Sequence, residues 1–535
     1  MARMTGGQAL AQQLKKEGVE VIFALPGVQM DWLFDALYDM QDSIRIIHTR
    51  HEQATSYMAD GYARTSGRVG VGLVVPGPGL LNAMAGLSTA YACSSPVLSI
   101  AGQIETAQIG KGRGMLHEIP HQLETMAAVT KWAARAERPE DVAKVAHLAM
   151  MEVRSGRPRP VHIEVPLDVL RAQGEVRLLE PVAPELPSGA PEALAAAAKA
   201  LAGSQKPVIF AGGGVMQSGA WAELQQLAEL LQAPVVHSAE GRGAISDHHY
   251  LAQMPTAGKY LVPEADVVLA VGTRFLQPST AAWGVKGHQT VIQLDIDDEE
   301  IGRNYPPTIR IQADARLGLA GLLERTERLA SPRASREKEL RELQDQVRAE
   351  VYGDEHRAPL AMAVREALPE DGILVTEMTQ VGYWSRVGFP VYHPRSFLTA
   401  GYQGTLGYGF ATALGAQVAN PDKKVVCISG DGGFMYNVQE LSTAKRHGIN
   451  LVTVIFNDGA YGNVQRIQEY QFNGRTIASD LLNPDFVKLA ESFGVVGMRA
   501  KDAKDLVGVL REALAADAPV LIDMPVGKMP PFVFR

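Results

Sequence analysis

Short apolar runs rich in β-branched residues alternate with helix-period segments along most of the chain. Runs at 19–24, 44–48, 69–75, 97–102 and 161–165 predict strands, with helical stretches between them. Near-continuous apolar strands are buried on both faces, and helices between successive strands imply parallel crossovers. The pattern stops at Pro166, and 171–190 is rich in proline and charge, so a linker is expected there. A second unit follows, with an alanine-rich helix at 193–202 and strands at 207–211, 235–237, 267–272 and 291–296. Segment 325–357 is highly charged with scattered leucines and predicts a solvated helix joining two domains. A third unit opens at Pro359, with strands at 373–376, 425–429, 451–456 and 520–524. The expected fold class is α/β: three consecutive doubly wound parallel-sheet domains over 1–170, 190–330 and 357–535, with no short repeat visible.

Composition removes several functions. The chain's 51 Lys and Arg face 59 Asp and Glu, for a formal charge of −8, and no basic block is present, which argues against a nucleic-acid partner. Cys93 and Cys427 can form no disulfide framework, and no CxxC exists to hold zinc. A cytoplasmic protein without a membrane partner is expected. The N-terminus has no apolar leader run, and the charge-free stretch 69–104 is broken by Pro76, Gly77, Pro78 and Pro96.

Several motifs fail on inspection. His117-Glu118-Ile119-Pro120-His121 matches the HExxH string, but zinc binding there needs a continuous helix, and Pro120 disrupts one. Gly77-Pro78-Gly79, Gly212-Gly213-Gly214 and Gly430-Asp431-Gly432 each lack the third glycine of the dinucleotide fingerprint. No serine sits in a GxSxG elbow, and Gly110-Lys111-Gly112 lacks the rest of a Walker A loop.

One constellation survives. The strand at 425–429 runs into Gly430-Asp431-Gly432-Gly433, a helix is expected at 437–447, and the next strand ends in Asn457-Asp458-Gly459. Asp431 and Asp458 therefore stand at the carboxyl ends of two strands of one βαβ unit, where parallel sheets bind ligands. Two hard oxygen ligands suit Mg²⁺, which takes its remaining ligands from phosphate and water. The glycines let backbone amides approach a diphosphate.

Gly432 and Asn457 are separated by 24 residues. That spacing resembles the GDG…NN signature of the thiamine diphosphate enzymes, the superfamily of acetolactate synthase, pyruvate oxidase and benzaldehyde lyase. His51-Glu52-Gln53-Ala54 with Ala59-Asp60-Gly61-Tyr62-Ala63-Arg64 resembles its HEQ…ADGYAR segment. Gly404-Thr405-Leu406-Gly407-Tyr408-Gly409 is similar to its GTMGYG segment, and Leu294-Asp295-Ile296-Asp297 to its HIDID strand. The likeness covers essentially the whole chain. It implies a pyrimidine-binding domain, a central domain and a diphosphate-binding domain, in that order.

The resemblance also implies roles. Glu52 matches the glutamate that bonds N1′ of the aminopyrimidine and promotes loss of the thiazolium C2 proton, so that a 2-keto acid can be decarboxylated. Gly404 matches the carbonyl that accepts from the 4′-amino group, and Leu406 the wedge that holds the cofactor bent. Gln380, Gly430, Asp431, Gly432, Gly433, Asp458, Tyr461 and Gly462 match the diphosphate-binding positions. Asp431, Asp458 and the Ala460 carbonyl match the metal ligands. The substrate pocket is expected from Val28, Gln29, Leu116, His117, Asn463, Val464 and Ile467. In this family the glutamate domain of one subunit meets the diphosphate domain of another, which implies a homodimer or homotetramer.

Departures bear on substrate more than cofactor. Asp458 stands where many relatives have asparagine, Leu116-His117 where acetolactate synthases have Phe-Gln, and Ile467 where they have tryptophan. Gly212-Gly213-Gly214 and Gly272-Thr273-Arg274-Phe275 resemble flavin-contacting segments, but Leu276-Gln277 replaces an acidic pair, which leaves bound FAD open. The expected function is an acetolactate synthase-like carboligase or decarboxylase of a small 2-keto acid, a transferase or lyase. The alternatives are a benzaldehyde lyase-type carboligase, a 2-hydroxyacyl-CoA lyase, and a cofactor-binding paralogue without turnover; the intact Glu52 argues against the last.

Overall fold

The computed structural model describes residues 1–276 and 284–532. The first domain contributes β1 (Ala2–Thr5), β2 (Val21–Ala24), β3 (Arg45–His48), β4 (Gly70–Val74), β5 (Val97–Gln103), β6 (Trp132–Arg135), β7 (Val161–Pro166) and β8 (Gln173–Val176). The central domain contributes β9 (Pro207–Ala211), β10 (Val235–His237), β11 (Ala252–Gln253), β12 (Val267–Val271), β13 (Thr290–Asp295) and β14 (Ile309–Gln312). The third holds β15 (Ile373–Thr376), β16 (Phe397–Leu398), β17 (Val425–Gly430), β18 (Val452–Asn457), β19 (Val496–Arg499) and β20 (Val520–Pro525). Three six-stranded sheets result, all parallel, ordered β3-β2-β4-β5-β7-β6, β11-β10-β9-β12-β13-β14 and β16-β15-β17-β18-β20-β19.

Counted within each six-stranded sheet, the first and third share one strand order, 2-1-3-4-6-5, although no sequence repeat announces it. The central sheet runs 3-2-1-4-5-6, the dinucleotide-fold order. In all three, strand order reverses beside the first strand. This places the switch points between β2 and β4, between β9 and β12, and between β15 and β17.

Every residue of β4, β5 and β7 is buried, which is why β4 reads as an unbroken apolar run, although β7 also buries His162 and Glu164 between its apolar residues. The strands that sequence reading missed are mostly sheet edges. At β6, β14 and β19 the side chains are largely half-buried or exposed, and β11 and β16 have only two residues each. The stretch expected as a linker also holds structure. Gln173–Val176 alternates exposed and buried residues and pairs antiparallel with β1. The charged segment contains the helix Glu337–Tyr352, which buries Leu340 and Val347 against the central domain. Among the described residues, no helix is long and apolar enough to cross a membrane.

The first and third domains share one apolar core. The helices Glu52–Ser66 and Tyr408–Ala419 cross at backbone contact: a Cβ on Gly61 would lie 2.0 Å from Thr412 O, and one on Gly415 1.9 Å from Met58 O. Buried Arg64 ties in the central domain. Its guanidinium donates to Tyr408 Oη and Thr399 O, both at 2.8 Å, and to Glu240 Oε2 at 2.6 Å. Asp297, in the segment that resembles HIDID, makes a second tie by pairing with Arg157 of the first domain at 3.3 Å.

Candidate functional site

The β15/β17 switch point gathers the turns that sequence reading singled out. Thr379, before the helix Gln380–Gly388, lies beside Gly430, whose added Cβ would be 3.6 Å from the threonine Cβ. Gly404 approaches Met378 Cε to 3.2 Å by the same measure, and Gly432 approaches a ring carbon of Tyr461 to 2.8 Å. A side chain on Gly432 would therefore fill the space between the β17 and β18 turns. Leu406 is half-buried in the 404–407 turn, which Asn437 Nδ2 holds by donating to Gly407 O at 2.6 Å.

Asp431 and Asp458 follow paired strands, with Gly430 opposite Phe456 in the ladder. Asp431 is buried, and its Oδ2 accepts from Asn483 Nδ2 at 2.5 Å and from Gly459 N at 3.1 Å. Burial first, and the Asp431 charge second, push the Asp458 carboxyl upward. Arg466 answers part of that charge: a Cβ on Gly462 would sit 2.1 Å from Asp458 Oδ2 and 3.3 Å from Arg466 Nη1. Two facing carboxylates in low dielectric repel each other, and a divalent cation relieves the repulsion. Among the described residues, no group of three or more His, Cys, Asp or Glu could hold a metal. Two carboxylates are, in general, enough protein ligands for a cation that keeps phosphate and water in its remaining positions.

Glu52 opens its helix, capped by His51, whose side chain accepts from Gln53 N. Asn82 Nδ2 donates to Glu52 Oε2 at 3.0 Å, while Oε1 faces Gly79. The third domain anchors this helix start. The Glu440 carboxylate accepts from Arg50 N and His51 N at 3.1 and 3.0 Å, and Gln53 Nε2 donates to Tyr436 O at 2.9 Å. The turn carrying Glu52 is thus fastened to the segment that follows the Gly430–Gly433 loop.

Of the expected pocket residues, Gln29, Leu116 and His117 come together. Gln29 Nε2 donates to Leu116 O at 3.0 Å, and its Oε1 lies 2.9 Å from His117 Nδ1. They stand with exposed Val28 at the carboxyl edge of the first sheet. Asn463, Val464 and Ile467 sit on the helix Gly462–Gln471 of the third domain, with Val464 and Ile467 exposed. Among the described residues, no hydrogen bond joins the two groups. His117 and His121 both have left-handed backbones (φ 68° and 53°), and the nearby helix begins only at Gln122, so the HExxH string forms no zinc-binding turn.

Sequence reading passed over Asn82, Glu440 and Asn483, none of which carries a local motif. It also passed over Glu377, which is fully buried at the end of β15. Gly409 N donates to Glu377 Oε2 at 2.7 Å, and among the described residues Oε1 has no hydrogen-bond partner. Burial pushes this carboxyl up to about 7 despite the amide donors around it. In the unfolded chain it loses its proton near its ordinary value of 4.5, whereas the folded protein retains it. The group's contribution to stability is therefore complete below about pH 4.5 and is lost as pH rises toward 7. Glu377→Gln has no proton to lose, so it should gain on the wild type by about 2–4 kcal/mol between pH 5 and 8. Melting temperatures of the cofactor-free proteins across that range test this; parallel curves would mean that Glu377 is ionised in the fold.

Three family models match the chain in domain order. The thiamine pyrophosphate enzyme N-terminal TPP binding domain covers residues 4–125, the central domain 194–322, and the C-terminal TPP binding domain 377–524. The chain is 36% identical over 550 residues to a probable acetolactate synthase large subunit of Methanocaldococcus jannaschii, covering 97% of this chain and 92% of that protein. This chain belongs to the thiamine pyrophosphate enzyme family. It is 35% identical over 530 residues to a probable 2-ketoarginine decarboxylase of Pseudomonas aeruginosa, covering 97% and 94% of the two chains. To the acetolactate synthase isozyme 3 large subunit of Escherichia coli K12 it is 32% identical over 540 residues, covering 96% and 93%. The three parallel-sheet domains are those of the family, and the protein is a thiamine diphosphate-dependent enzyme that forms or cleaves carbon–carbon bonds.

The central switch point bears on flavin. There Gly212 and Gly214 abut Gly272, and Gly214 N donates to Gly272 O at 2.9 Å, so that amide is already bonded. Gln277, the second residue of the altered pair, lies outside the described residues.

Proposed function

We propose that the protein is a thiamine diphosphate- and Mg²⁺-dependent carboligase or decarboxylase of a 2-keto acid, related in chemistry to acetolactate synthase. The observation that carries this reading is the Asp431–Asp458 pair, set at the ends of neighbouring parallel strands beside Gly432 and Gly433. In this reading Asp431, Asp458 and the Ala460 carbonyl hold Mg²⁺. The amides around Gly430, Gly432, Gly433 and Gly462, with Gln380 and Tyr461, receive the diphosphate. Asn82 orients the Glu52 carboxyl through Oε2, which leaves Oε1 for N1′ of the aminopyrimidine. The Gly404 carbonyl would accept from the 4′-amino group, and Leu406 would pack against the cofactor's rings. Bound thiamine diphosphate supplies the nucleophilic carbon and the electron sink for decarboxylation. This chemistry is redox-neutral and needs no step through a flavin.

A homodimer or homotetramer belongs to the same reading, because the family's two half-sites meet across subunits. Exposed Tyr402, Tyr436, Phe472, Ile477 and Leu482 supply apolar surface of the kind that association buries. Acceptor choice is assigned to Val28, Gln29, Leu116, His117, Asn463, Val464 and Ile467. The testing experiment is reconstitution with thiamine diphosphate and Mg²⁺, then product analysis over a panel of 2-keto acids and aldehydes. The panel includes a keto acid with a guanidinium tail, because one relative is named for such a substrate. Products from no 2-keto acid would overturn the reading.

Ile467 gives a narrower test. It is 42% exposed on its helix, so a larger ring fits there without disturbing the core. Ile467→Trp should shift the ratio of two competing acceptors by about tenfold at constant donor, since one pocket contact is worth ~1–3 kcal/mol of discrimination. An unchanged ratio beside a large fall in donor decarboxylation would place Ile467 at the cofactor instead.

A further inference from the structure

Gln380 is the first residue of the helix Gln380–Gly388, which follows β15 at the switch point, and its side chain ends in an amide. The two ends of a glutamine amide have nearly the same shape but opposite hydrogen-bonding character, so an unconstrained Gln could face an anion with either. An oxygen turned toward a diphosphate repels it, and an NH₂ group binds it.

Arg357 removes the choice. Its Nε and Nη2 both donate to Gln380 Oε1, at 3.2 and 2.8 Å. A guanidinium carries donors only and stays charged at any working pH, so it accepts only the oxygen end. Arg357 is itself held firmly. It is 2% exposed, its Nη1 donates to Asp354 Oδ2 at 2.9 Å, and its Nη2 also donates to Pro530 O. Gln380 is 6% exposed, which leaves its amide little room to turn. Among the described residues Gln380 Nε2 has no hydrogen-bond partner, yet it is not one of the sealed, unpartnered atoms of the interior, so it is reachable from solvent.

We propose that Arg357 is a positioning residue that locks the Gln380 amide with its oxygen inward, so that Nε2 is presented as a fixed donor to an anionic oxygen of the diphosphate. This deepens the proposed function and rests on its placement of Gln380 at the diphosphate. Nothing in the local sequence marks Arg357, which lies 23 residues before Gln380 in a segment that reads as a solvated helix.

A double-mutant cycle tests the proposal, with affinity for thiamine diphosphate measured by calorimetry in saturating Mg²⁺ and no substrate. Gln380→Ala should weaken binding about tenfold, the worth of one hydrogen bond to a charged group. Arg357→Met should weaken it to a similar degree, and the double variant should bind no more than about twofold worse than Gln380→Ala. A purely structural role, through Asp354 or the Pro530 segment, would instead leave the Arg357→Met loss undiminished in the Gln380→Ala background. That result overturns the proposal. An unchanged affinity in Gln380→Ala alone would show that Gln380 does not meet the diphosphate, which is a failure of the underlying reading and is distinguishable from the first. Gln380→Glu keeps Arg357 paired and so serves should Arg357→Met fail to fold. It turns a carboxylate oxygen toward the diphosphate and should bind more weakly than Gln380→Ala; wild-type affinity in Gln380→Glu would also overturn the proposal.

Discussion

Glu52→Gln should bind thiamine diphosphate nearly as tightly as the wild type while exchange of the cofactor's C2 proton falls by about 10²–10⁴-fold, the usual contribution of a positioned proton-transfer group. The substitution preserves shape and keeps a carbonyl oxygen for Asn82, which donates to the present carboxylate at 3.0 Å. It removes only the ability to share a proton with N1′. The helix start should also survive, because its anchors are backbone groups and neighbours: Arg50 N and His51 N on Glu440, and Gln53 on Tyr436 O. Hydrogen–deuterium exchange at C2 followed by NMR separates the two quantities. Near-wild-type exchange in the Gln variant would falsify the assignment of Glu52.

Asp431→Ala should abolish Mg²⁺-dependent cofactor binding, whereas Asp458→Asn should retain it within about tenfold because asparagine keeps a carbonyl ligand. The asymmetry comes from the environment of each carboxylate. Asp431 is buried and also orders its surroundings, accepting from Asn483 at 2.5 Å and from Gly459 N. Its loss removes a ligand and leaves buried donors unsatisfied. At Asp458 the Asn variant removes one of two carboxylates that repel each other, at the cost of leaving Arg466 with the weaker countercharge of Glu469. Titrating thiamine diphosphate against both variants, with and without Mg²⁺, reads out the difference. Equal and mild effects would mean that the metal is held elsewhere.

Much of the site was legible because its chemistry is local in the chain. A glycine-rich turn ending a buried strand, an acid within it, and a second acid one βαβ unit later form a local pattern, and their spacing carries the resemblance that implies a diphosphate and metal site. Here Gly430–Gly433 and Asp458 do follow paired strands. The HExxH string was rejected on equally local grounds, since Pro120 interrupts the required helix, and the structure shows none across it. The groups that support the site were not legible. Asn483 reaches Asp431 across 52 positions and Glu440 reaches Arg50 across 390, and no periodicity relates residues so far apart.

The same division holds for the fold. The sequence by itself determined the class and the central strands of the three sheets, because a strand buried on both faces is dominated by apolar residues and so announces itself, even where β7 also buries His162 and Glu164. Edge strands such as β6, β14 and β19 escaped it, since half-exposed residues bear no such constraint. Only the tertiary structure decided that the first and third domains share a strand order and a core, where Gly61 and Gly415 let two helices meet at backbone distance. Only it decided which end of the Gln380 amide faces outward, because that choice belongs to Arg357. Side-chain burial writes its pattern along the chain, whereas hydrogen-bond orientation is settled between residues that folding brings together.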